Sequence, residues 1–493
     1  IVKNIFLSFV IYLENFLIYN LRLQNSDKIF KNYIYNNYNF YIKSNPAKLI
    51  KNLTTEFDRA HNYLLQSFTL IRECLIAFFI FILLAQNNFV ATVVVFFLVT
   101  IFVLSFYFIL KDFLKKKGEI ARTSDEGRMN TIQNIFGAFK SIKLLNAEEN
   151  FVKDFKNDIQ EQNKSELYMR VIPRLPRLIL ETLVLILIIC PVIYISINTT
   201  SNFDLFLGTL SLFAVCALRL IPSYSTISST LSSLRYLFPS FKNLLYELKL
   251  SVNKPNTIIK NKVINLKNEK FNNLEIKDLS FKYPNANKFI LNNLNFNVVK
   301  NTILGFIGPS GSGKSTLIDI LLGFFEPSGG KVYLNGKEKK FDELYSNKIF
   351  GYVPQDIYIL NTTISKNIAL GLRDQDIDEK KVYECLEKAN LLEYIKSLPD
   401  GIHSKIEHRG INLSGGQIQR LGIARAFYFD PQIIILDEST NALDRDTENK
   451  ILQEIVGLKE KYTFLIVSHK QSTVSICDNI YSLSDEKFTK KIS

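Results

Sequence analysis

The sequence predicts two domains of different class, an all-α membrane-spanning domain followed by an α/β domain. Three observations carry that prediction. Apolar residues pile up before residue 240 in runs close to the ~20 residues a transmembrane helix needs. Residues 302–316, TILGFIGPSGSGKST, pass from a β-run through a Gly-rich loop into a helix. From about residue 272 onward, apolar runs of strand length alternate with helical stretches, the α/β pattern. The composition agrees. The chain of 493 residues is 47% hydrophobic and 22% charged, with 39 Phe, which excludes disordered and collagen-like classes. Five widely separated cysteines form no CxxC or Cys/His ligand spacing, so neither a zinc site nor a disulfide framework is expected. The formal net charge of +13 would suit a nucleic-acid binder, but the excess lies beside the apolar runs and fits a membrane protein better.

Five spans are expected: a weaker one over 1–21, then 64–84, 89–110, 178–197 and 205–221. The short loops AQNN (85–88) and NTTSNFD (198–204) carry no Lys or Arg. The long segments 111–117 and 118–177 carry many, so the long loops are cytoplasmic by the positive-inside rule. The chain then begins outside, and the expectation is a six-span domain with its first span missing. The cytoplasmic stretches 22–60 and 111–177 are rich in helix formers, which extends the spans into the cytosol as helices. SIKLLNAEENFVKDF (141–155) and NPAKLIKNL (45–53) read as helices that dock on a partner or as solvated amphipathic helices. The expected domains are 1–240 transmembrane, 241–272 an Asn/Lys-rich linker, and 273–493 a nucleotide-binding domain.

The 308–315 segment matches GxxxxGK[ST]. In such a loop, glycines let backbone N–H groups ring the phosphates, Lys314 adds charge at the β/γ-phosphates and Ser315 ligates Mg²⁺; the helix N-terminus adds its dipole. QIIILDEST (432–440) reads as a buried parallel strand ending at Asp437, placed to hold Mg²⁺, with Glu438 next to it to orient or deprotonate a water.

LSGGQ (413–417) completes the pattern, and the sequence resembles the ATP-binding cassette (ABC) transporters, whose signature this is. The resemblance covers essentially the whole chain. It implies roles for residues in the family's order. Tyr283 of LSFKYP would stack on adenine, and Gly308, Ser310, Gly311, Ser312, Gly313, Lys314, Ser315 and Thr316 would bind the phosphates. Ser315, Gln355 of YVPQD and Asp437 would serve the metal; Glu438, Gln355 and His469 of IVSHK would be catalytic. Asp444 of NALD completes the loop after the acidic strand end. The resemblance further implies that two cassettes pair head to tail, so Ser414, Gly415, Gly416 and Gln417 of one chain contact ATP held by the other. The cofactors would be ATP and Mg²⁺. The partner would be a second half-transporter chain, a homodimer by default, with no nucleic acid. One departure is His408 in IEHRGINLSGG, where exporters have Glu; Glu407 stands beside it.

Spans preceding a cassette on one chain resemble exporters and flippases, integral to the bacterial inner membrane with the cassette in the cytoplasm. GAFKSIKLLNAEENF and ALRLIPSYSTISSTLSSLRY are similar to flippases of lipid-linked oligosaccharides, which makes Arg219 the candidate pyrophosphate contact. Ser223, Thr226, Ser229, Thr230 and Ser233 follow it. The readings left open are an exporter of lipid A precursor, drug or peptide, and a cassette protein that gates without pumping. Arg72 and Glu73 also fall inside a span and, being adjacent, are expected on different helix faces.

Overall fold

The structure is a computed structural model. It describes residues 1–86, 89–179, 181–182, 186, 189, 203–252, 271–283, 286–346, 349–407, 412–439, 444–484 and 487–491; over 203–219 it describes the helix backbone and not the side chains. The chain divides into two compact units, Ile1–Pro255 and Asn256–Ser493.

The first unit is helical: α1 (Val2–Ile34), α2 (Tyr38–Lys43), α3 (Pro46–Leu53), α4 (Thr55–Ala85), α5 (Phe89–Gly137), α6 (Phe139–Leu144), α7 (Glu148–Val171) and α8 (Phe203–Val252). Among the described residues three helices are long and apolar enough to cross a membrane, Asn4–Ile34, Pro46–Ala85 and Thr92–Gly137. The expected span at 178–197 lies largely outside the described residues. That at 205–221 falls in the helical backbone of α8. Helices α1 and α4 run antiparallel. Arg22 pairs with Asp58, Asn25 Nδ2 meets His61 Nε2 at 3.4 Å, and Arg72 Nη1 donates to Glu14 Oε2 at 2.5 Å. Arg72 Nε also lies 3.5 Å from Glu73 Oε1. The two neighbours start about 100° apart around the helix, and the long guanidinium reaches both carboxylates.

Two expectations are corrected. Residues 141–155 do not form one helix: the chain breaks between α6 and α7, where Asn146 takes φ 50°, a left-handed conformation that Asn tolerates. The last helix also runs past residue 240 to Val252. Leu244 packs against Ile29, Phe57 and Ala60, and Glu247 accepts a hydrogen bond from Asn52, so burial keeps this stretch helical.

The short helix α3 is fastened by polar groups. Its cap, Asn45, accepts from the Ala47 N–H and donates to Asn130 Oδ1 of α5. Lys51, 1% exposed, donates to the Arg122 carbonyl at 2.6 Å and lies near Glu56 (3.6 Å) and Glu126 (3.4 Å). Asn52 donates to Tyr33 and Glu247 and accepts from Asn243. One two-turn helix therefore ties together α1, α4, α5 and α8.

The second unit holds two sheets. An antiparallel one has the order β2–β1–β4–β5, built from β1 (Asn273–Phe281), β2 (Leu291–Val299), β4 (Gly329–Leu334) and β5 (Lys337–Lys339). A six-stranded one has the order β10–β9–β3–β8–β7–β6, from β3 (Ile303–Ile307), β6 (Phe350–Val353), β7 (Ile433–Asp437), β8 (Thr463–Val467), β9 (Asn479–Ser484) and β10 (Lys487–Lys491). All neighbours in it are parallel except β10–β9. Strands β7 and β8 are buried along their whole length, as parallel strands covered on both faces must be. Helices α9 (Lys314–Leu321), α10 (Gly415–Phe427) and α11 (Arg445–Leu458) follow the loops that matter below.

Candidate nucleotide site

Strand order explains the site. β3, β8, β7 and β6 lie side by side, and ligands of such sheets bind outside the carboxyl ends of the strands. The Gly308 loop leaves β3, His469 follows β8, Asp437 and Glu438 end β7, and Gln355 follows β6. Four segments far apart in sequence thus arrive at one rim.

The loop before α9 is tight. Gly313 caps α9 at φ 94°, and a Cβ there would stand 2.8 Å from Leu291 Cδ2 and 2.9 Å from Ile290 Cγ2, so only glycine fits. Lys314 is 6% exposed and donates to the carbonyls of Gly308 (2.8 Å) and Pro309 (2.9 Å). Burial pushes its pKa below the usual lysine value, against the opposing pull of Glu438 and Asp437. The buried Ser312 Oγ has no hydrogen-bond partner among the described residues, while Ser315 is exposed at the helix start. The Tyr283 hydroxyl lies 3.2 Å from Thr316 Oγ1.

At the end of β7, Asp437 is 7% exposed, and burial followed by the adjacent Glu438 raises its pKa. Tyr352, on the neighbouring strand β6, donates to Asp437 Oδ2 at 3.4 Å. Glu438 takes φ 47°, an uncommon conformation for a non-glycine residue, and holds its N–H on the Val467 carbonyl. Its carboxylate is gripped from both sides. Gln355 Nε2 donates to Oε2 at 3.1 Å, and His469 Nε2 lies 3.1 Å from Oε1. Both ends of the clamp therefore come from strands flanking β7.

Ser414 and Gln417 form a capping box on α10: Ser414 Oγ accepts from the Gln417 N–H at 3.2 Å and the Ser414 N–H donates to Gln417 Oε1 at 2.7 Å. With Gly415 and Gly416 they make an N-terminus that presents N–H groups and dipole. No hydrogen bond or ion pair joins them to Lys314 among the described residues. Asp444 caps α11 by accepting from the Thr447 N–H at 2.9 Å, which holds its pKa low. His408 and residues 441–443 lie outside the described residues. So does the side chain of Arg219. The hydroxyls of Thr226, Ser229 and Ser233 bond back to carbonyls of their own helix, and Ser223 and Thr230 are buried.

Sequence reasoning missed Tyr352, whose role appears only through the β6–β7 pairing. It missed Asp319 on α9, an acid that burial, then Asp437, raises to about 6. It also missed Phe281 and Phe325, which pack on Tyr283.

A buried ammonium held by loop carbonyls, a serine hydroxyl with no partner among the described residues and a carboxylate at the strand end form a donor set that fits a metal-bound triphosphate. Together these observations define a helical unit with helices apolar enough to cross a membrane and an α/β unit whose Gly-rich loop stands at the carboxyl end of a parallel sheet. Residues 291–441 of this chain match the ABC transporter family. Its fold matches the solved structure of a bacterial Atm1-family ABC exporter with ATP bound, at TM-score 0.80 and 19% identity, covering 97% of this chain and 83% of that one. It is 38% identical over 213 residues to an ATP-dependent lipid A-core flippase of Ralstonia nicotianae, which covers 43% of this chain and 36% of the relative. It is 32% identical over 292 residues to the heterocyst differentiation ATP-binding protein HepA of Nostoc, 59% of this chain and 47% of the relative. The chain thus spans less than half the length of either curated relative.

Proposed function

We propose that this protein is an ATP-hydrolysing ABC exporter that moves a lipid-linked oligosaccharide or related amphiphilic glycolipid across the bacterial inner membrane, working as a dimer. The observation that carries the ATPase reading is the Glu438 carboxylate clamped between Gln355 and His469 at the rim that also holds Lys314. The Gly308–Gly313 loop, Lys314 and the α9 N-terminus bind the triphosphate, and Tyr283 stacks on the base. Ser315, Asp437 and Gln355 would hold Mg²⁺, which would neutralise charge on the phosphates. Glu438 takes the proton of the attacking water and His469 keeps it aimed. Hydrolysis of this kind depends on positioning and charge stabilisation. Ser414–Gln417 and Asp444 of a second copy close the sandwich, which fits a capping-box helix terminus whose N–H groups meet no anion among the described residues.

For the cargo, the lipid A-core flippase relative supports an amphiphilic lipid, and the similarity around 137–151 and 217–236 favours a polyprenyl-pyrophosphate glycolipid met by Arg219. The test is ATPase rate of the full-length protein in lipid nanodiscs, with Glu438→Gln as blank. Stimulation by polyprenyl-pyrophosphate oligosaccharide and not by lipid A or drugs, lost in Arg219→Ala, is the expected result. A good basal rate that no added glycolipid changes would discard the cargo and leave the exporter. A rate no higher than the blank would discard the enzyme.

A further inference from the structure

Three aromatic rings meet beside the phosphate loop. Tyr283 packs edge-to-face with Phe281 (centroids 5.1 Å, 81°) and with Phe325 (5.5 Å, 89°), and those two lie 5.4 Å apart. Phe281 is 4% and Phe325 8% exposed, whereas Tyr283 is only half-buried. The hydroxyl of Tyr283 reaches Thr316 Oγ1 at 3.2 Å, and Thr316 sits in the first turn of α9. Phe325 lies in the turn just beyond the end of the same helix. A tyrosine on an exposed loop would otherwise rotate about χ1 and χ2 and lose that freedom when a base stacked on it. Here both ends of the ring are held: the rim by two buried phenylalanines, the hydroxyl by α9. The helix that begins at Lys314 therefore also sets the plane of the ring.

We propose that Phe325 is a positioning residue for nucleotide selection. With Phe281 and Thr316 it fixes the Tyr283 ring in advance, so that recognition of the base is built onto the helix that starts at the phosphate loop. The inference rests on the reading of Tyr283 as the base platform. Edge-to-face pairs and single hydrogen bonds are each of a strength that corresponds to an affinity change of about 2- to 10-fold.

The experiment is calorimetric titration of the full-length protein in nanodiscs, carrying Glu438→Gln to stop turnover, with Mg²⁺ and either ATP or inorganic tripolyphosphate. Phe325→Leu is expected to weaken ATP about 2- to 10-fold and leave tripolyphosphate unchanged, and Phe325→Tyr to restore ATP binding. Tyr283→Phe, which keeps the ring and loses the Thr316 bond, is expected to weaken ATP alone by a similar factor. An equal loss for both ligands in Phe325→Leu marks a merely structural role and overturns the proposal. ATP affinity unchanged in either Phe325→Leu or Tyr283→Phe overturns it as well, and Tyr283→Phe decides it should the leucine variant fail to fold. If the parent protein binds ATP no more tightly than tripolyphosphate, the base-platform reading itself fails, and this inference falls with it.

Discussion

Replacing Glu438 by Gln tests the reasoning about the site most sharply. The carboxylate accepts on both oxygens, from Gln355 Nε2 at one and, with the proton on Nε2, from His469 at the other, each at 3.1 Å. A carboxamide has one acceptor oxygen. Glu438→Gln therefore loses the proton acceptor and also one of the two clamps, while Lys314 and the loop stay as they are. A positioned general base contributes about 10²- to 10⁴-fold, or roughly 3–5 kcal/mol of barrier at ~1.4 kcal/mol per decade. The lost clamp adds about 1 kcal/mol of misalignment. The variant should therefore bind ATP within a few-fold of the parent and hydrolyse it at least ~100-fold more slowly. Phosphate release in nanodiscs measures the rate, and calorimetry the binding. A Glu438→Gln protein that keeps more than about a tenth of the parent rate would refute the assignment. One that loses ATP binding to the same extent as turnover would show that Glu438 serves the fold of the loop and not the reaction.

Other perturbations follow from the geometry. Gly313→Ala forces a side chain onto φ 94° and into Leu291 and Ile290, so ATP affinity should fall by more than about 10-fold, read by the same calorimetry. Lys51→Met leaves Glu56, 2% exposed, with Arg122 as its one remaining cation among the described residues and should destabilise the helical unit by about 3–5 kcal/mol, whereas Lys51→Met/Glu56→Leu together should cost much less. Melting in detergent distinguishes them, and equal melting of single variant and parent would remove any structural role for the cluster. Asp319 has a folded pKa of about 6 against an ordinary 3.8. The folded state therefore binds the proton more tightly, so this group's penalty is absent below the ordinary value and grows as pH rises through about 6. Asp319→Asn should raise nucleotide-free stability at pH 7 by about 1–2 kcal/mol after allowance for partial exposure. That gain should shrink towards pH 4; a gain that persists there would contradict the burial argument.

Much of this protein is legible in its sequence because the relevant signals are local. The 308–316 loop, the IIILD strand and the Ser414–Gln417 helix start each consist of neighbouring residues whose spacing reflects their own backbone. Apolar runs likewise announce spans, since a helix in lipid satisfies its backbone alone. Where the reading went astray, a single dihedral or a distant contact decided. Asn146 in a left-handed turn split 141–155 into two helices, and burial of Leu244 and Glu247 against residues from α1, α3 and α4 carried the last helix past 240.

Local spacing determined which residues are candidates for holding a triphosphate. The sheet decided which of them stand together. In the chain the order is β3, β6, β7, β8, but in space β8 inserts between β3 and β7 and β6 lies outside β7. That non-sequential order puts Gln355 and His469 on opposite sides of Glu438, and it puts Tyr352 against Asp437. No spacing in the sequence encodes it, because strand pairing is settled by burial and backbone hydrogen bonds between segments that only folding brings together.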